Sequence, residues 1–222
     1  MGNEPEVHRP GTTSTHRFEQ TFGGWALIVG GTLLFGALLL IALLPPAPAA
    51  PSELARWVQE HSFQLSMSDE LMFFAIVCST PAIIILLRTV RLSRPVSSLI
   101  GCSSLLLAMT LLGLMVVIAG RLVYPVFGIA MSDDSIALIV SMLYGTLHCL
   151  ELFAAVGLIA LGFALRDEGV WYLLPVASFG AGGLQILGAF PWLTPAWLNV
   201  TATAALLFWT IAVGLWLRTT RP

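Results

Sequence analysis

Six long runs of apolar residues follow one another along the chain, separated by short polar segments. The runs cover residues 23–44, 70–88, 96–120, 135–165, 170–190 and 197–217. Each is long enough to cross a bilayer as a helix, which takes roughly 20 apolar residues. In lipid, only helices and closed barrels satisfy every backbone hydrogen-bonding group. The pattern therefore predicts an all-α, polytopic integral membrane protein built as a bundle of six transmembrane helices.

The composition supports the same fold class and leaves no stretch for a soluble domain. Hydrophobic residues make up 57% of the 222 residues and charged residues only 10%, whereas soluble domains carry roughly 25% charged residues. We expect an N-terminal tail over 1–22, a transmembrane domain over 23–217 and a C-terminal tail over 218–222. The expected partner is the lipid bilayer, and the sequence has no basic patch that would favour nucleic acid.

The arginine residues are distributed unequally between the two ends of the predicted spans. Under an even number of spans, eight lie on the side of the termini: Arg9, Arg17, Arg88, Arg91, Arg94, Arg166, Arg218 and Arg221. Only Arg56 and Arg121 lie on the other side. Because basic residues concentrate on the cytoplasmic side of membrane proteins, we expect both termini in the cytoplasm of a bacterial cell, with the chain in its cytoplasmic membrane.

The largest external segment, residues 45–69, begins with a proline-rich stretch. Ala47-Pro48-Ala49 resembles a signal-peptidase site, but the apolar run before it exceeds the roughly 7–15 residues of a signal sequence, so we expect an uncleaved anchor. After it, Ser52 is predicted to cap a short interfacial helix. One face of that helix carries Leu54, Trp57, Val58 and His61. The helix is either a lid over an outward-facing cavity or a linker at the headgroups.

A polar stripe interrupts the fourth apolar run. Ser141, Tyr144, His148 and Glu151 follow one another at intervals of three, four and three residues, so they share one face of a helix. An ionisable group at the centre of a membrane span costs about 2.5–3.5 kcal/mol on insertion scales. We therefore expect the stripe to face the interior of the bundle, and its residues are the candidate site.

Three interpretations of the stripe remain open. In the structural interpretation, His148 and Glu151 hydrogen-bond each other and hydroxyl groups on other helices, such as Ser79, Thr80 or Thr110. In the transport interpretation, Glu151 binds a proton or a small cation and His148 relays protons. In the catalytic interpretation, both residues are catalytic and Glu151 is the general acid.

The enzyme would be a cyclase or isomerase acting on a lipid or isoprenoid substrate. Such an acid needs aromatic rings that steady cations, and the rings available to line an interior chamber are Phe73, Phe74, Phe153, Phe163 and Trp209. We favour a non-enzymatic protein, either transporter-like or a sensory or complex-forming subunit. Its site would bind a proton, a small cation or the polar group of an apolar ligand, with Ser79, Thr80 and Gln185 as further contributors.

Counting residues argues against a metal or haem site. Glu151 is the one acid at mid-membrane depth, whereas a di-iron bundle site needs several glutamates. His148 is the one histidine inside a predicted span, so a bis-histidine haem site lacks its second ligand. The cysteines have no paired spacing of the kind that binds zinc. We therefore expect no metal and no cofactor.

The C-terminal half contains an ordered series of short motifs. They are Leu147-His148, then GLIALGFALR, then LLP and the glycine-rich FGAGGL, which ends at Leu184. This series resembles the bacterial six-span family catalogued as domain of unknown function 4386. The resemblance implies a six-helix topology and a role for His148. Pro175 is followed here by Val176, where the family pattern has a basic residue, and Glu151 has no counterpart in that pattern.

Overall fold

The computed structural model describes residues 12–90, 94–124, 126–167 and 172–219, and they are almost entirely helical. The helices are α1 (Thr12–Ala42), α2 (Pro51–Glu60), α3 (Ser62–Val90), α4 (Pro95–Val123), α5 (Asp133–Ala164), α6 (Leu173–Gly188) and α7 (Ala196–Thr219). These ranges contain no strand, so the predicted all-α fold class is confirmed for them. Short 3-10 turns follow α4 and α5.

Five of the helices are long and apolar enough to cross a membrane: α1 from His16 onwards, α3, α4, α5 and α7. They correspond to the first four predicted runs and the last. The remaining run, 170–190, forms α6, which is apolar but has only 16 residues. Many large apolar side chains on the outside of the bundle are exposed, as lipid contact requires. The chain is therefore of the multi-pass membrane type.

Six helices form a closed ring. Each of α1, α3, α4, α5, α6 and α7 packs against the next, and α7 packs back against α1. Because short connections join α3 to α4, α4 to α5 and α6 to α7, these neighbours run antiparallel. The centre of the ring is filled by fully buried apolar side chains, among them Met72, Leu112, Met115, Leu150, Leu158 and Trp209.

Glycines allow two pairs of helices to touch backbone to backbone. A Cβ atom on Gly214 of α7 would lie 2.7 Å from the carbonyl oxygen of Gly24 on α1. A Cβ atom on Gly157 of α5 would lie 3.0 Å from the carbonyl oxygen of Gly101 on α4. Small residues at these positions permit the close approach that drives helix association in lipid.

The short helix α2 lies against the bundle. Its apolar face, which includes Leu54, Trp57 and Val58, is buried and packs mainly on α5. The predicted cap is wrong: the N-cap residue is Ala50, its side chain makes no capping bond, and Pro51 takes the first helical position. Proline is favoured there because its missing N–H and fixed φ suit the first turn.

Helix α3 begins eight residues before the predicted span, because only His61 separates it from α2. Asp69 and Glu70 consequently lie about two turns inside the helix, and its first turn holds no acidic residue. These acids therefore do not lie at the positive end of the helix dipole.

Replacing Gly214 by alanine is expected to weaken the closure of the ring. The new methyl group meets the backbone of α1, which cannot move aside as a flexible side chain can, and such overpacking costs about 1–3 kcal/mol. Thermal unfolding of the purified protein in detergent measures the loss. Gly183→Ala is the matched control, because nothing lies within 4 Å of a Cβ atom there. Equal unfolding temperatures for the two variants would contradict the close contact between α1 and α7.

Candidate functional site

A cavity of about 510 Å³ opens at the end of the bundle that carries α2. It lies between the C-terminal part of α1, the middle of α5, the segment that joins α6 to α7, and the start of α7. The lining residues are Leu38, Ile41, Ala42, Leu44, Pro45, Pro46, Ala47, Tyr144, Leu147, Glu151, Pro191, Trp192, Thr194, Ala196, Asn199 and Thr203. Its volume falls in the range of small-molecule sites, roughly 300–1,000 Å³.

The cavity deepens along the walls that α5 and α7 contribute. Tyr144, Leu147 and Glu151 line it at helical spacing along α5, and Asn199 and Thr203 do the same along α7. Tyr144 and Glu151 are seven residues apart, which corresponds to about 10 Å along a helix axis. The loops therefore form the mouth of the cavity, and Glu151 lies toward its floor.

Glu151 is buried without a hydrogen-bond partner among the described residues. Its side chain is only 5% exposed, and its Oε2 atom is fully enclosed. A Cβ atom on Gly188 would lie 3.6 Å from that oxygen and 3.9 Å from Oδ1 of Asn199, so both side chains reach the same spot beside α6. Burying a polar group without a hydrogen-bond partner costs free energy of folding. A functional role of Glu151 would explain why the residue is present.

His148 is placed differently from Glu151. Its Nδ1 hydrogen-bonds the backbone carbonyl oxygen of Ala189, and because a carbonyl can only accept, Nδ1 carries the hydrogen. The imidazole ring also packs on Phe190 and Trp192, with centroids 4.8 and 5.6 Å away. His148 thus fastens α5 to the segment after α6.

The mutual hydrogen bond expected between His148 and Glu151 does not form. Among the described residues no hydrogen bond or ion pair joins them. The physical reason is the tie to Ala189, which holds the imidazole against the loop while the Glu151 side chain extends toward Gly188 and Asn199.

The other predicted contributors lie apart from Glu151. Gln185 is buried, and its Nε2 donates to the carbonyl oxygen of Ala202 at 2.9 Å. Ser79, on α3, faces α1, where its Oγ is the atom nearest to a Cβ built on Gly30. Thr80 follows it on α3 and does not line the cavity. Of the predicted site, only Tyr144 and Glu151 line one cavity.

Two further hydroxyl groups bond to their own helices. Ser141 is exposed, which corrects the expectation that the whole stripe faces inward, and its Oγ donates to the carbonyl oxygen of Leu138 at 2.7 Å. Thr110 is also exposed and donates to Leu106 at 3.0 Å. Because such local bonds satisfy a hydroxyl hydrogen without a neighbouring helix, neither residue needs a partner in the bundle.

The mouth of the cavity is held by side chains of α2 and α3. Trp57 Nε1 donates to the carbonyl oxygen of Pro45 at 3.1 Å. Gln64 Nε2 donates to Leu40 at 3.0 Å, and Ser68 Oγ donates to Ala37 at 2.9 Å. The last four carbonyl groups of a helix lack partners within it, and the bond from Gln64 satisfies one of them at the end of α1. The proline-rich segment thus forms part of the cavity wall.

Sequence reasoning missed three polar lining residues, Thr194, Asn199 and Thr203. Asn199 and Thr203 are four residues apart on α7, and that interval is the same signal that identified the stripe on α5. Thr194 lies in the connection before α7, where no periodicity applies. Its contribution follows from the fold of that connection alone.

A second buried acid, Asp69, lies between α3 and α4. It is 5% exposed, and its Oδ1 has no partner among the described residues. The adjacent Glu70 accepts a hydrogen bond of 2.8 Å from the hydroxyl of Tyr124, and this bond raises the pKa of Tyr124. Within the described ranges, no group of three or more His, Cys, Asp or Glu side chains is placed to hold a metal ion.

Replacing Glu151 by leucine is expected to stabilise the protein by about 1–3 kcal/mol, because it removes the cost of an unpaired buried polar group. The unfolding midpoint in detergent at neutral pH measures the change. Gln185→Leu is the control, since it removes the hydrogen bond from α6 to the Ala202 carbonyl oxygen of α7, at a cost of about 0.5–1.5 kcal/mol. If Glu151→Leu instead destabilised the protein, Glu151 would be a structural fastener.

No protein-family model matches this chain, and neither curated proteins nor solved structures gave a match. The family resemblance of the C-terminal half consequently stays a prediction.

Proposed function

We propose that this chain is a six-span protein of a bacterial cytoplasmic membrane that binds a small, partly apolar ligand at Glu151. Its role is that of a transporter-like protein or of a sensory or complex-forming subunit. The observation that carries this proposal is the carboxyl group of Glu151, which is buried, has no partner among the described residues and lines a cavity of ligand size. Both termini would lie in the cytoplasm, so the cavity would open to the outside.

The register between α5 and α6 supports a sixth crossing. Phe179 lies against Gly162, Gly182 against Ile159, and Gly188 against Glu151, so α6 runs antiparallel along the C-terminal part of α5. Its 16 residues correspond to about 24 Å of helix, close to the roughly 30 Å of the hydrocarbon core.

The positions of the arginines support the orientation. Arg17, Arg88, Arg166 and Arg218 lie at the bundle end opposite the cavity, near helix termini. Arg218 stacks on the ring of Trp25 at 4.0 Å, a cation–π contact typical of an anchored membrane boundary. An excess of arginine marks the cytoplasmic side, so the opposite end, with the cavity, faces outward.

Reporter fusions test the number of spans. Green fluorescent protein fused after Thr219 is expected to fluoresce, and alkaline phosphatase fused there is expected to be inactive, because six crossings return the C-terminus to the cytoplasm. Phosphatase fused after Pro191 is expected to be active, and a fusion after Arg166 provides the cytoplasmic control. An active phosphatase at Thr219 would mean that α6 does not cross.

The positions of the aromatic rings favour binding over catalysis. Phe73, Phe74, Phe153 and Phe163 are exposed on the outside of the bundle, and Trp209 donates to Ser178 inside it. The rings that do line the cavity are those of Tyr144 and Trp192. An acid-initiated cyclase needs rings around the carbocation, and Glu151 lacks such a wall.

The contacts of His148 do not support a role as proton relay to Glu151. Its Nδ1 hydrogen-bonds the carbonyl oxygen of Ala189, and its ring packs on Phe190 and Trp192. The proposal therefore assigns His148 to positioning the segment that closes one side of the cavity. Direct binding at Glu151 remains the role that the geometry favours.

Cysteine accessibility tests whether the cavity opens outward. Thr203 and Thr210 are both on α7 and similarly buried, 5% and 6% exposed, but Thr203 lines the cavity and Thr210 faces Gly31 of α1. In a background with Cys78, Cys102 and Cys149 replaced by alanine, Thr203→Cys is expected to react with a membrane-impermeant cationic methanethiosulfonate added to spheroplasts. Thr210→Cys is expected to stay unmodified, as mass spectrometry would show.

Equal reaction of the two variants, or reaction of Thr203→Cys only in inverted vesicles, would contradict an outward-open cavity. The reagent cannot cross the membrane, so the side of addition reports the side of access.

A further inference from the structure

The formal charge on the cavity wall has a single sign. Among the lining residues, Glu151 is the one acid, and none is arginine or histidine. The histidine one turn away, His148, donates to Ala189 and does not line the cavity. Arg121, at the same end of the bundle, donates to the carbonyl oxygen of Ile129 at 3.1 Å. A ligand that pairs with the ionised carboxylate must therefore bring its own positive charge.

The hydroxyl hydrogens of the lining threonines already form hydrogen bonds within the protein. Thr203 Oγ1 donates to the backbone oxygen of Asn199 at 2.8 Å. Thr194 Oγ1 lies 3.0 Å from the carbonyl oxygen of Phe190 and 2.9 Å from Oδ1 of Asn199. Because a hydroxyl has one hydrogen and two lone pairs, these residues present acceptors to the cavity. Together with the carboxyl oxygens of Glu151, they favour a ligand group rich in N–H donors.

The wall between Glu151 and the mouth is mainly apolar. Leu38, Ile41 and Leu147 line it, and Leu44 and Pro46 continue it outward. Burial of apolar surface on this wall favours binding of an apolar group. The shape therefore suits a compact apolar body with one polar end directed at Glu151.

We infer that the ligand class is a small amphipathic cation, a protonated primary or secondary amine whose N–H groups donate to the Glu151 carboxylate. This inference rests on the proposed function, because it specifies what the cavity binds. Charge-assisted hydrogen bonds of this kind are roughly twice as strong as neutral ones. The apolar part of the amine lies against Leu38, Ile41 and Leu147.

Two other cation classes fit the site less well. A calcium ion takes about 6–8 oxygen ligands, whereas the cavity offers one carboxylate. A quaternary ammonium has no N–H group and is recognised by a cage of aromatic rings. The two lining rings, Tyr144 and Trp192, do not make such a cage around Glu151, and Trp192 packs against His148.

Protection of a cavity cysteine tests the inference on the full-length protein in nanodiscs. Cyclohexylamine is titrated against labelling of the Thr203→Cys variant by the cationic methanethiosulfonate. Cyclohexanol, cyclohexanecarboxylate and N,N,N-trimethylcyclohexylammonium are the matched probes of similar shape. We expect the amine to protect at concentrations about tenfold or more below each of the others, since bonds to charged groups contribute about 1.5–3 kcal/mol.

Variants in the same background assign the effect to Glu151. Glu151→Gln keeps the size of the side chain and removes the charge, so it is expected to weaken protection by the amine about tenfold or more. Asp69→Asn neutralises the other buried acid and is expected to leave protection unchanged. Unfolding midpoints of both variants establish that each is folded.

The inference is overturned if cyclohexanol or the carboxylate protects as well as the amine, if Glu151→Gln retains full protection, or if no probe protects. In these cases Thr203→Cys is still labelled from outside, so the proposed cavity function survives. If Thr203→Cys is not labelled from outside at all, the proposed function fails together with the inference.

Discussion

The contact between α1 and α7 closes the ring of helices. The cavity exists because the two helices touch closely at one end and are separated at the other. At one end the backbones touch at Gly24 and Gly214. Toward the other end, Leu38 and Thr203 line opposite walls of the cavity. The ring is thus tight at the arginine-rich end and open at the end with α2. Close packing of small residues stabilises helix pairs in lipid. The contact at the arginine-rich end therefore holds α1 and α7 together while their other ends lie apart.

Several polar side chains of the interior hold helices together, whereas the carboxyl group of Glu151 does not. His148, Gln185 and Trp209 each bond a defined acceptor on a neighbouring segment. Such bonds secure the α5–α6–α7 side of the ring, typically by about 0.6–2 kcal/mol each. Glu151 has no such partner among the described residues. Within the stripe on α5, His148 therefore fastens neighbouring segments together, whereas Glu151 does not.

The sequence placed Tyr144 and Glu151 on one face of a helix but did not predict the contacts that this face makes. Intervals of three and four residues placed Tyr144 and Glu151 together, and the structure puts both on one cavity wall. The sequence also suggested Ser79 and Gln185, by their polarity, and the His148–Glu151 pair, by its spacing. It could not exclude them, because helical periodicity relates residues within one helix, whereas contacts between helices depend on their order, rotation and register.

The sequence by itself determined the fold class, the positions of the long apolar helices and the cost of an ionised Glu151. Backbone hydrogen bonding and hydrophobicity are local properties that any stretch of about 20 apolar residues displays. Only the tertiary structure decided that α6 pairs with α5, that Pro45 to Ala47 and Thr194 reach the cavity, and that His148 turns to Ala189. Those outcomes depend on which surfaces meet across the ring, a long-range packing result that no single segment encodes.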